Sequence, residues 1–163
     1  MKELLIVWHS MTGGSEALAK EAAQGAADEG TVKVSCVSAE QANPSAMLGA
    51  YGYLFVFPEN LAAISGVMKA FFDRCYYPCL GRIEGRPYAT IICAGSDGSN
   101  AARQAERIAT GWRLRKIAEP VIICTHAQTE TAIVAPKTIG DEGLEQARQI
   151  GAHLTAGMVL GIF

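Results

Sequence analysis

Hydrophobic residues occur along the chain in short continuous runs separated by segments of helical periodicity. Four runs are almost wholly apolar, at residues 4–8, 53–57, 89–94 and 121–124. This pattern is typical of strands in a parallel sheet, because helices cover both faces of such a sheet. The stretch at residues 32–37 partly alternates between apolar and polar side chains, which predicts a strand at the edge of the sheet.

Segments with helical periodicity lie between and after these runs. They cover residues 15–29, 64–75, about 100–112 and a stretch from about 138 onwards, with a short helix at 44–50. Gly30 follows the first segment in the position where glycine commonly ends helices. Thr138 and Asp141 have the spacing of a capping box, which predicts that the last helix begins there.

The alternation of strands and helices predicts an α/β fold. Five strands joined by helical crossovers imply a doubly wound, five-stranded parallel sheet with helices on both faces. An edge-like second strand fits the strand order 2-1-3-4-5, in which that strand lies on the outside. Because no repeat or linker interrupts the pattern, we expect residues 1–163 to form a single domain.

Composition narrows the range of partners and the cellular compartment. The formal net charge is −2, which gives no support for nucleic-acid or anionic-membrane binding. The apolar runs near both termini are too short for a secretory signal or a membrane span, so no membrane attachment is expected. The five cysteines are odd in number and have no CxxC spacing, which favours reduced, buried thiols in a cytoplasmic protein.

The first candidate site is a loop between strand 1 and the first helix, at the edge where doubly wound sheets bind ligands. It contains Ser10, Met11, Thr12, Gly13, Gly14 and Ser15. Glycines let the backbone come close to a ligand, and the N–H groups at a helix start favour an anion such as a phosphate. The loop has no Lys or Arg, so hydroxyls and backbone amides would hold the anion. It matches neither a P-loop nor a GxGxxG dinucleotide site.

Two further loops lie at the same edge of the predicted sheet. The second loop contains Pro58, Glu59, Asn60 and Leu61, and the third contains Gly95, Ser96, Asp97 and Gly98. Their backbone groups and small side chains suit the edge of a flat ring. Helix capping is a structural alternative for all three loops, by Thr12 or Ser15, by Ser65, and by an Asx or Ser cap in the third loop. For the first loop, its position directly after strand 1 favours the phosphate.

Three stretches of the sequence together resemble the flavodoxin-like superfamily. They are residues 9–15, the run from Phe57 through Ser65 and Gly66 to Arg74, and residues 92–98. More closely, the chain resembles the NADPH-dependent FMN reductases and NAD(P)H:quinone oxidoreductases of that superfamily. The middle run is the most specific part of the resemblance, with a small residue and a glycine before a hydrophobic-Lys-x-Phe-x-Asp pattern.

The resemblance implies FMN as the cofactor. It places the phosphate on Ser10, Thr12, Gly13, Gly14 and Ser15, and the flavin ring between the loops at 58–61 and 95–98. It also implies that NAD(P)H reduces the flavin and that a quinone or similar small molecule accepts the two electrons. The cofactor then carries the chemistry, so no side chain is assigned as catalytic. A homodimer is expected, because a second subunit commonly completes the flavin edge in this superfamily.

Several side chains near the loops have more than one interpretation. Glu59, Asp97 and His126 are candidate acid–base groups, with capping or solvated side chains as the alternative. His9 is placed either at the phosphate or in a hydrogen bond to loop backbone. Three aromatic residues also have alternative roles, namely Tyr76, Tyr77 and Trp112. Each either lines the substrate side, lies in a dimer interface or packs in the core.

Two other functions fit the same sequence. One is an electron-carrier flavodoxin, but the weak net charge counts against it, because steering to a redox partner usually uses a strong patch of one sign. The other is a flavodoxin-like protein that has lost FMN and acts through protein contacts. A retained flavin spectrum that NADPH bleaches would separate the enzyme from both.

Overall fold

The computed structural model describes residues 1–28 and 30–163 and shows a parallel sheet with one short antiparallel hairpin. The strands are β1 (Glu3–Trp8), β2 (Lys33–Ser38), β3 (Gly52–Asn60), β4 (Ala63–Ile64), β5 (Pro87–Ala94), β6 (Arg115–Lys116) and β7 (Val121–Cys124). Their order is β2-β1-β3-β5, and β6 and β7 pair with the beginning and the end of β5. The five principal strands, β1, β2, β3, β5 and β7, lie in the order β2-β1-β3-β5-β7. Numbered along the chain as 1 to 5, they have the predicted order 2-1-3-4-5, and the doubly wound fold class is confirmed.

Six helices lie within the described residues. They are α1 (Gly14–Ala27), α2 (Pro44–Gly49), α3 (Gly66–Cys79), α4 (Ser99–Gly111), α5 (Glu130–Val134) and α6 (Asp141–Leu160). All the predicted helices are present, although the predicted end of the first, at Glu29, lies outside the described residues. The short α5 was not predicted, because five residues are too few to show a helical period. None of these helices is long and apolar enough to cross a membrane.

Helices cover both faces of the sheet because successive strand residues point to opposite sides. In β1, Leu5 and Val7 belong to one hydrophobic cluster, while Leu4 and Ile6 belong to the other. The first cluster includes side chains of α2, α3 and α4, and the second includes side chains of α1 and α6. With both faces covered as predicted, the ends of the strands are left to form a binding site.

The capping box predicted at the start of the last helix is wrong. Gly140, which has no side chain, is the N-cap of α6, so Thr138 is not the capping residue. Ile139 is buried in the second cluster, and the chain is still extended at Gly140, so the helix begins only after it. Thr138 therefore lies two residues before the N-cap and cannot reach the first turn as a cap.

All five cysteines are free thiols, as predicted. Cys75, Cys79 and Cys93 are buried, and Cys36 and Cys124 are half-buried. Burial raises the pKa of Cys75 to about 12 and the pKa of Cys36 to about 11. These two thiols are therefore protonated near neutral pH, the form in which cysteine is a poor nucleophile.

Candidate functional site

A cavity of about 630 Å³ opens at the carboxyl ends of β1, β3 and β5. It is lined by Ser10, Met11, Thr12, Gly14, Ser15, Pro58, Glu59, Asn60, Leu61, Cys93, Ala94, Gly95, Thr125, Ala127, Ile133, Val134 and Lys137. The structure thus brings together the first two predicted loops, apart from Gly13, with Gly95 of the third. Ser96, Asp97 and Gly98 do not line the cavity, because the chain turns into α4 immediately after them.

The first loop leaves the start of α1 open toward the cavity. Gly13 is the N-cap of α1 and has a φ of 98°, a left-handed conformation that favours glycine. Because the N-cap residue is Gly13, which has no side chain, the alternative with Thr12 or Ser15 as the cap is wrong. Ser10 Oγ instead accepts a hydrogen bond from the Gly13 N–H at 2.9 Å, which holds the loop in shape. The first-turn N–H groups of α1 are available to a ligand.

Ser15 has a buried hydroxyl with no hydrogen-bond partner among the described residues. The residue is 2% exposed and lines the cavity. Burial raises the pKa of the neighbouring Cys93 thiol, and the Lys137 charge and a side-chain contact with the Ser15 hydroxyl only partly oppose this rise. Because a thiol is a weak hydrogen-bonding group, this contact leaves the hydroxyl without a strong partner. Together with the open start of α1, the Ser15 hydroxyl fits an anion that accepts several hydrogen bonds.

The start of α4, by contrast, is closed by side chains. Glu59 Oε1 accepts the Gly98 N–H at 2.9 Å, and Glu59 Oε2 accepts the Ala101 N–H at 3.1 Å. Asp97 Oδ1 accepts the Ser99 N–H of the same helix at 3.2 Å. Glu59 and Asp97 are therefore capping side chains, which was one of the two interpretations open from sequence. The helix N–H groups left open for an anion in the cavity are therefore those of α1, because those of α4 already have side-chain partners.

The second loop is a β-hairpin rather than a plain loop. The last two residues of β3 pair with β4, so Leu61 and Ala62 form a two-residue turn. Their φ angles are 51° and 58°, as in a type I′ turn, in which Asn-Gly is the usual sequence. Because Leu-Ala is not a turn signature, sequence patterns gave no indication of this hairpin. The turn places the fully exposed Leu61 side chain at the cavity.

A family model described as NADPH-dependent FMN reductase matches residues 9–129 of the chain. The chain belongs to this family. The matched region contains all three loops and the whole cavity lining except Ile133, Val134 and Lys137. Membership places the chain among FMN-binding oxidoreductases, as the resemblance in its sequence implied.

Solved structures share the fold of this FMN reductase family member at low sequence identity. A flavodoxin of Streptococcus pneumoniae TIGR4 has a TM-score of 0.76 and 18% identity, and the match covers 96% of this chain and 99% of that chain. A flavodoxin from the domain Archaea has a TM-score of 0.75 and 13% identity, with 94% and 96% covered. A WrbA-like flavodoxin from Agrobacterium tumefaciens has a TM-score of 0.67 and 16% identity, with 96% of each chain covered. These structures confirm the flavodoxin-like fold, whereas no curated protein sequence matches the chain.

In this family member, His9 contacts Ser65 just before α3 and does not line the cavity. Its Nδ1 lies 2.8 Å from Ser65 Oγ, with His9 6% exposed and Ser65 fully buried. Both positions expected for His9, at a phosphate or at loop backbone, are therefore wrong for its side chain. Ser65 is the N-cap residue of α3, as predicted, but its hydroxyl does not cap the helix because it is hydrogen-bonded to His9.

The remaining candidates of the sequence also lie outside the cavity lining. Trp112 is 1% exposed and donates its indole N–H to the Tyr76 carbonyl at 3.2 Å, which confirms core packing for Trp112. Tyr77 is 80% exposed on the surface of α3. The His126 backbone N–H donates a hydrogen bond to the Gly95 carbonyl at 2.8 Å, so His126 stabilises the third loop through its main chain.

The segment after β7 closes one side of the cavity and was missed by sequence reasoning. Ile133 and Val134 of α5 and Lys137 line the cavity on this side. The Lys137 backbone N–H donates to the Thr12 carbonyl at 2.8 Å. No local pattern could indicate this contact, because its two partners lie near opposite ends of the chain. Within the described part of the chain, no group of three or more side chains could hold a metal ion.

Proposed function

We propose that this protein is an NAD(P)H-dependent oxidoreductase that binds FMN in the cavity and passes two electrons to a quinone or similar small acceptor. The observation that carries the proposal is the unpartnered, buried Ser15 hydroxyl beside the open start of α1. A phosphate monoester has three strong acceptor oxygens and a charge of about −1.5 to −2 at neutral pH, so it matches both features.

Residues on two sides of the cavity would hold the cofactor. The phosphate would lie on Ser10, Thr12, Gly13, Gly14 and Ser15, with Met11 at the rim, and the ring between Gly95 and the hairpin residues Pro58, Glu59, Asn60 and Leu61. Ser96, Asp97 and Gly98 lie outside the lining, where the Gly98 N–H binds Glu59 of the hairpin and Asp97 caps α4. Bound FMN supplies two-electron redox chemistry, while the protein binds and orients it and excludes water.

The mouth of the cavity supports an apolar acceptor. Met11 is 65% exposed, Val134 is 74% exposed and Leu61 is fully exposed, and all three line the cavity. A flat, apolar molecule that covers these side chains removes their surface from water, which favours binding. A quinone has this shape and accepts two electrons, so it fits the mouth better than a charged acceptor does.

An electron carrier is the second candidate function, because carrier flavodoxins have the same fold. Its recognition of a protein redox partner would rest on charge steering, and the net charge of −2 provides little of this. A carrier also has no need of an apolar pocket mouth for a small acceptor. These two features favour the enzyme.

The test is a visible absorption spectrum of the purified protein after incubation with FMN and desalting, repeated with NADPH or NADH under anaerobic conditions. The proposal predicts retained bands near ~450 nm that either nicotinamide bleaches and that a soluble quinone restores. Retained bands that neither nicotinamide bleaches would support the carrier. No retained flavin at micromolar FMN would contradict the cofactor assignment and would favour a protein-contact function.

We also propose that the protein acts as a homodimer in the cytoplasm. The exposed Met11 and Leu61 side chains at the cavity mouth support a subunit contact that completes the flavin edge. The free cysteines support a reducing compartment. Size-exclusion chromatography with light scattering distinguishes the 17.3 kDa monomer from a species of twice that mass, and the monomer mass would contradict the dimer.

A further inference from the structure

One basic side chain reaches the cavity. Among the described residues that line it, Lys137 is the single cation and Glu59 is the single carboxylate. Both Glu59 oxygens are occupied by N–H groups of the third loop and α4. Glu59 is thus engaged at the start of α4, and Lys137 is the charged side chain of the lining that can attract an anion.

Lys137 is fixed directly against the first loop. Its backbone N–H donates to the Thr12 carbonyl at 2.8 Å. Its Cβ lies 3.4 Å from the position that a Cβ on Gly14 would occupy. The Lys137 charge also acts on the Cys93 thiol at the end of β5, where it opposes the rise in pKa that burial causes. The backbone and Cβ of Lys137 thus lie against the first loop, and its side chain lines the same cavity as the start of α1.

The Lys137 ammonium is held by neutral groups. Its Nζ donates to the Ile133 carbonyl at 2.8 Å and to the Ala135 carbonyl at 2.6 Å. Neither bond neutralises the charge, and no carboxylate among the described residues forms an ion pair with it. An ammonium group has three donors, so one donor is left for a further acceptor. Ser15, on the other side of the same loop, independently offers an unpartnered buried hydroxyl.

We propose that Lys137 supplies the positive charge that the first loop lacks, and that it makes the cavity select a phosphorylated flavin over an unphosphorylated one. The inference rests on the proposed function, in which FMN binds here with its phosphate at the start of α1. Riboflavin has the same ring without the phosphate, so the Lys137 charge distinguishes the two ligands. Lys137 is a positioning residue, since it acts on the phosphate and not on the reacting ring.

The experiment is a titration of FMN and of riboflavin by flavin fluorescence for the wild type, Lys137→Met and Lys137→Arg. Lys69→Met is the matched control, because it removes the same charge from an exposed position on α3. Loss of a charge-assisted contact predicts that Lys137→Met raises the Kd for FMN about 10- to 100-fold. The Kd for riboflavin is expected to stay within about twofold. Lys137→Arg is expected to recover most of the FMN affinity, and Lys69→Met to change neither Kd.

A second measurement uses the wild type alone and so does not depend on how the variants fold. Added salt is expected to weaken binding of FMN but not of riboflavin, because ions screen the attraction between the phosphate and the ammonium group. An unchanged FMN affinity in Lys137→Met would overturn the inference while leaving the proposed function intact. An equal loss for both flavins would show a structural role and would also overturn it. Binding of neither flavin by the wild type would instead refute the proposed function.

Discussion

At the scale of single residues, the Ser15 hydroxyl has opposite effects on the free protein and on ligand binding. Ser15→Ala is expected to raise the free energy of unfolding of the flavin-free protein by about 1 kcal/mol, because it removes a buried, unpaired hydroxyl. The same change is expected to weaken FMN binding about tenfold, because a hydrogen bond to the phosphate is lost. Urea denaturation and fluorescence titration measure the two effects.

Ser99 provides the control, because it is also a serine in the first turn of a helix. Its hydroxyl is satisfied, since it donates to Asp97 Oδ2 at 2.9 Å. Ser99→Ala should therefore not stabilise the protein and should leave FMN affinity unchanged. If Ser15→Ala lowers the stability of the flavin-free protein instead, the hydroxyl has a partner in solution and the anion assignment loses its main support.

His9 makes the folding stability depend on pH. Burial lowers the pKa of its imidazole, and the Glu40 charge only partly opposes this shift. The unfolded chain, with a histidine pKa of about 6.5, binds a proton that the folded state does not bind. The free energy of unfolding is therefore expected to decrease as the pH falls through about 6.5, and to level off below the folded pKa.

His9→Asn tests this assignment, because asparagine does not titrate and keeps a polar group near Ser65. The variant should lose the His9 contribution to the slope between about pH 7.5 and pH 5, measured by urea denaturation at a series of pH values. A His9→Asn variant with the full wild-type slope would assign the pH dependence to other groups.

At the scale of elements, the β3–β4 hairpin contains local strain. Left-handed conformations cost a residue with a side chain roughly 1 kcal/mol or more, and Ala62 adopts one with a φ of 58°. Ala62→Gly should therefore raise the free energy of unfolding by about 1 kcal/mol. Ala63→Gly, one residue further along in β4, should lower it, because glycine weakens a strand. Equal effects of the two changes in urea denaturation would argue against strain at the turn.

Helices α1 and α6 approach so closely that only glycine fits at their contact. A Cβ on Gly151 would clash with the Ala22 carbonyl oxygen, which is backbone and cannot rotate away. Gly151→Ala should lower the free energy of unfolding by about 3 kcal/mol. Gly111→Ala in α4, where no atom lies within 4 Å of the new Cβ, should be neutral or slightly stabilising. Thermal denaturation compares the two variants, and a fully stable Gly151→Ala would show that the helices can separate without loss.

Elements differed in how far the sequence could predict them. Four of the five principal strands were predictable because a strand covered on both faces is apolar at nearly every position, and the edge strand β2 because its side chains partly alternate. The hairpin and α5 were not, because Leu-Ala is no turn signature and five residues show no period. The start of α6 was misplaced because burial of Ile139 outweighed the capping preference of Thr138.

At the scale of the whole molecule, a ligand that binds only the folded chain adds to its stability. FMN at about 100 times its Kd should raise the free energy of unfolding by about 2.7 kcal/mol and the Tm by roughly 5–10 °C. Riboflavin at the same concentration should give a smaller shift, because it lacks the phosphate contacts. Circular dichroism melting measures both shifts, and no shift with FMN would contradict binding at a site formed only on folding.

The sequence by itself determined the class of sheet, the order of its principal strands and the first two loops that meet at the site. These follow from hydrophobic periodicity and from the position of glycines and hydroxyls after a strand, which are local properties of the chain. The resemblance to FMN reductases rested on the same segments and was confirmed by the family match.

Only the tertiary structure decided which polar groups are satisfied and which are left for a ligand. Glu59 caps α4, His9 pairs with Ser65, Ser15 has no partner among the described residues, and Lys137 lies against the first loop. These outcomes depend on contacts between residues far apart in the chain, and such contacts exist only once the helices have packed against the sheet. Hydrogen-bond partners of this kind are set by packing geometry, which no local pattern in the sequence records.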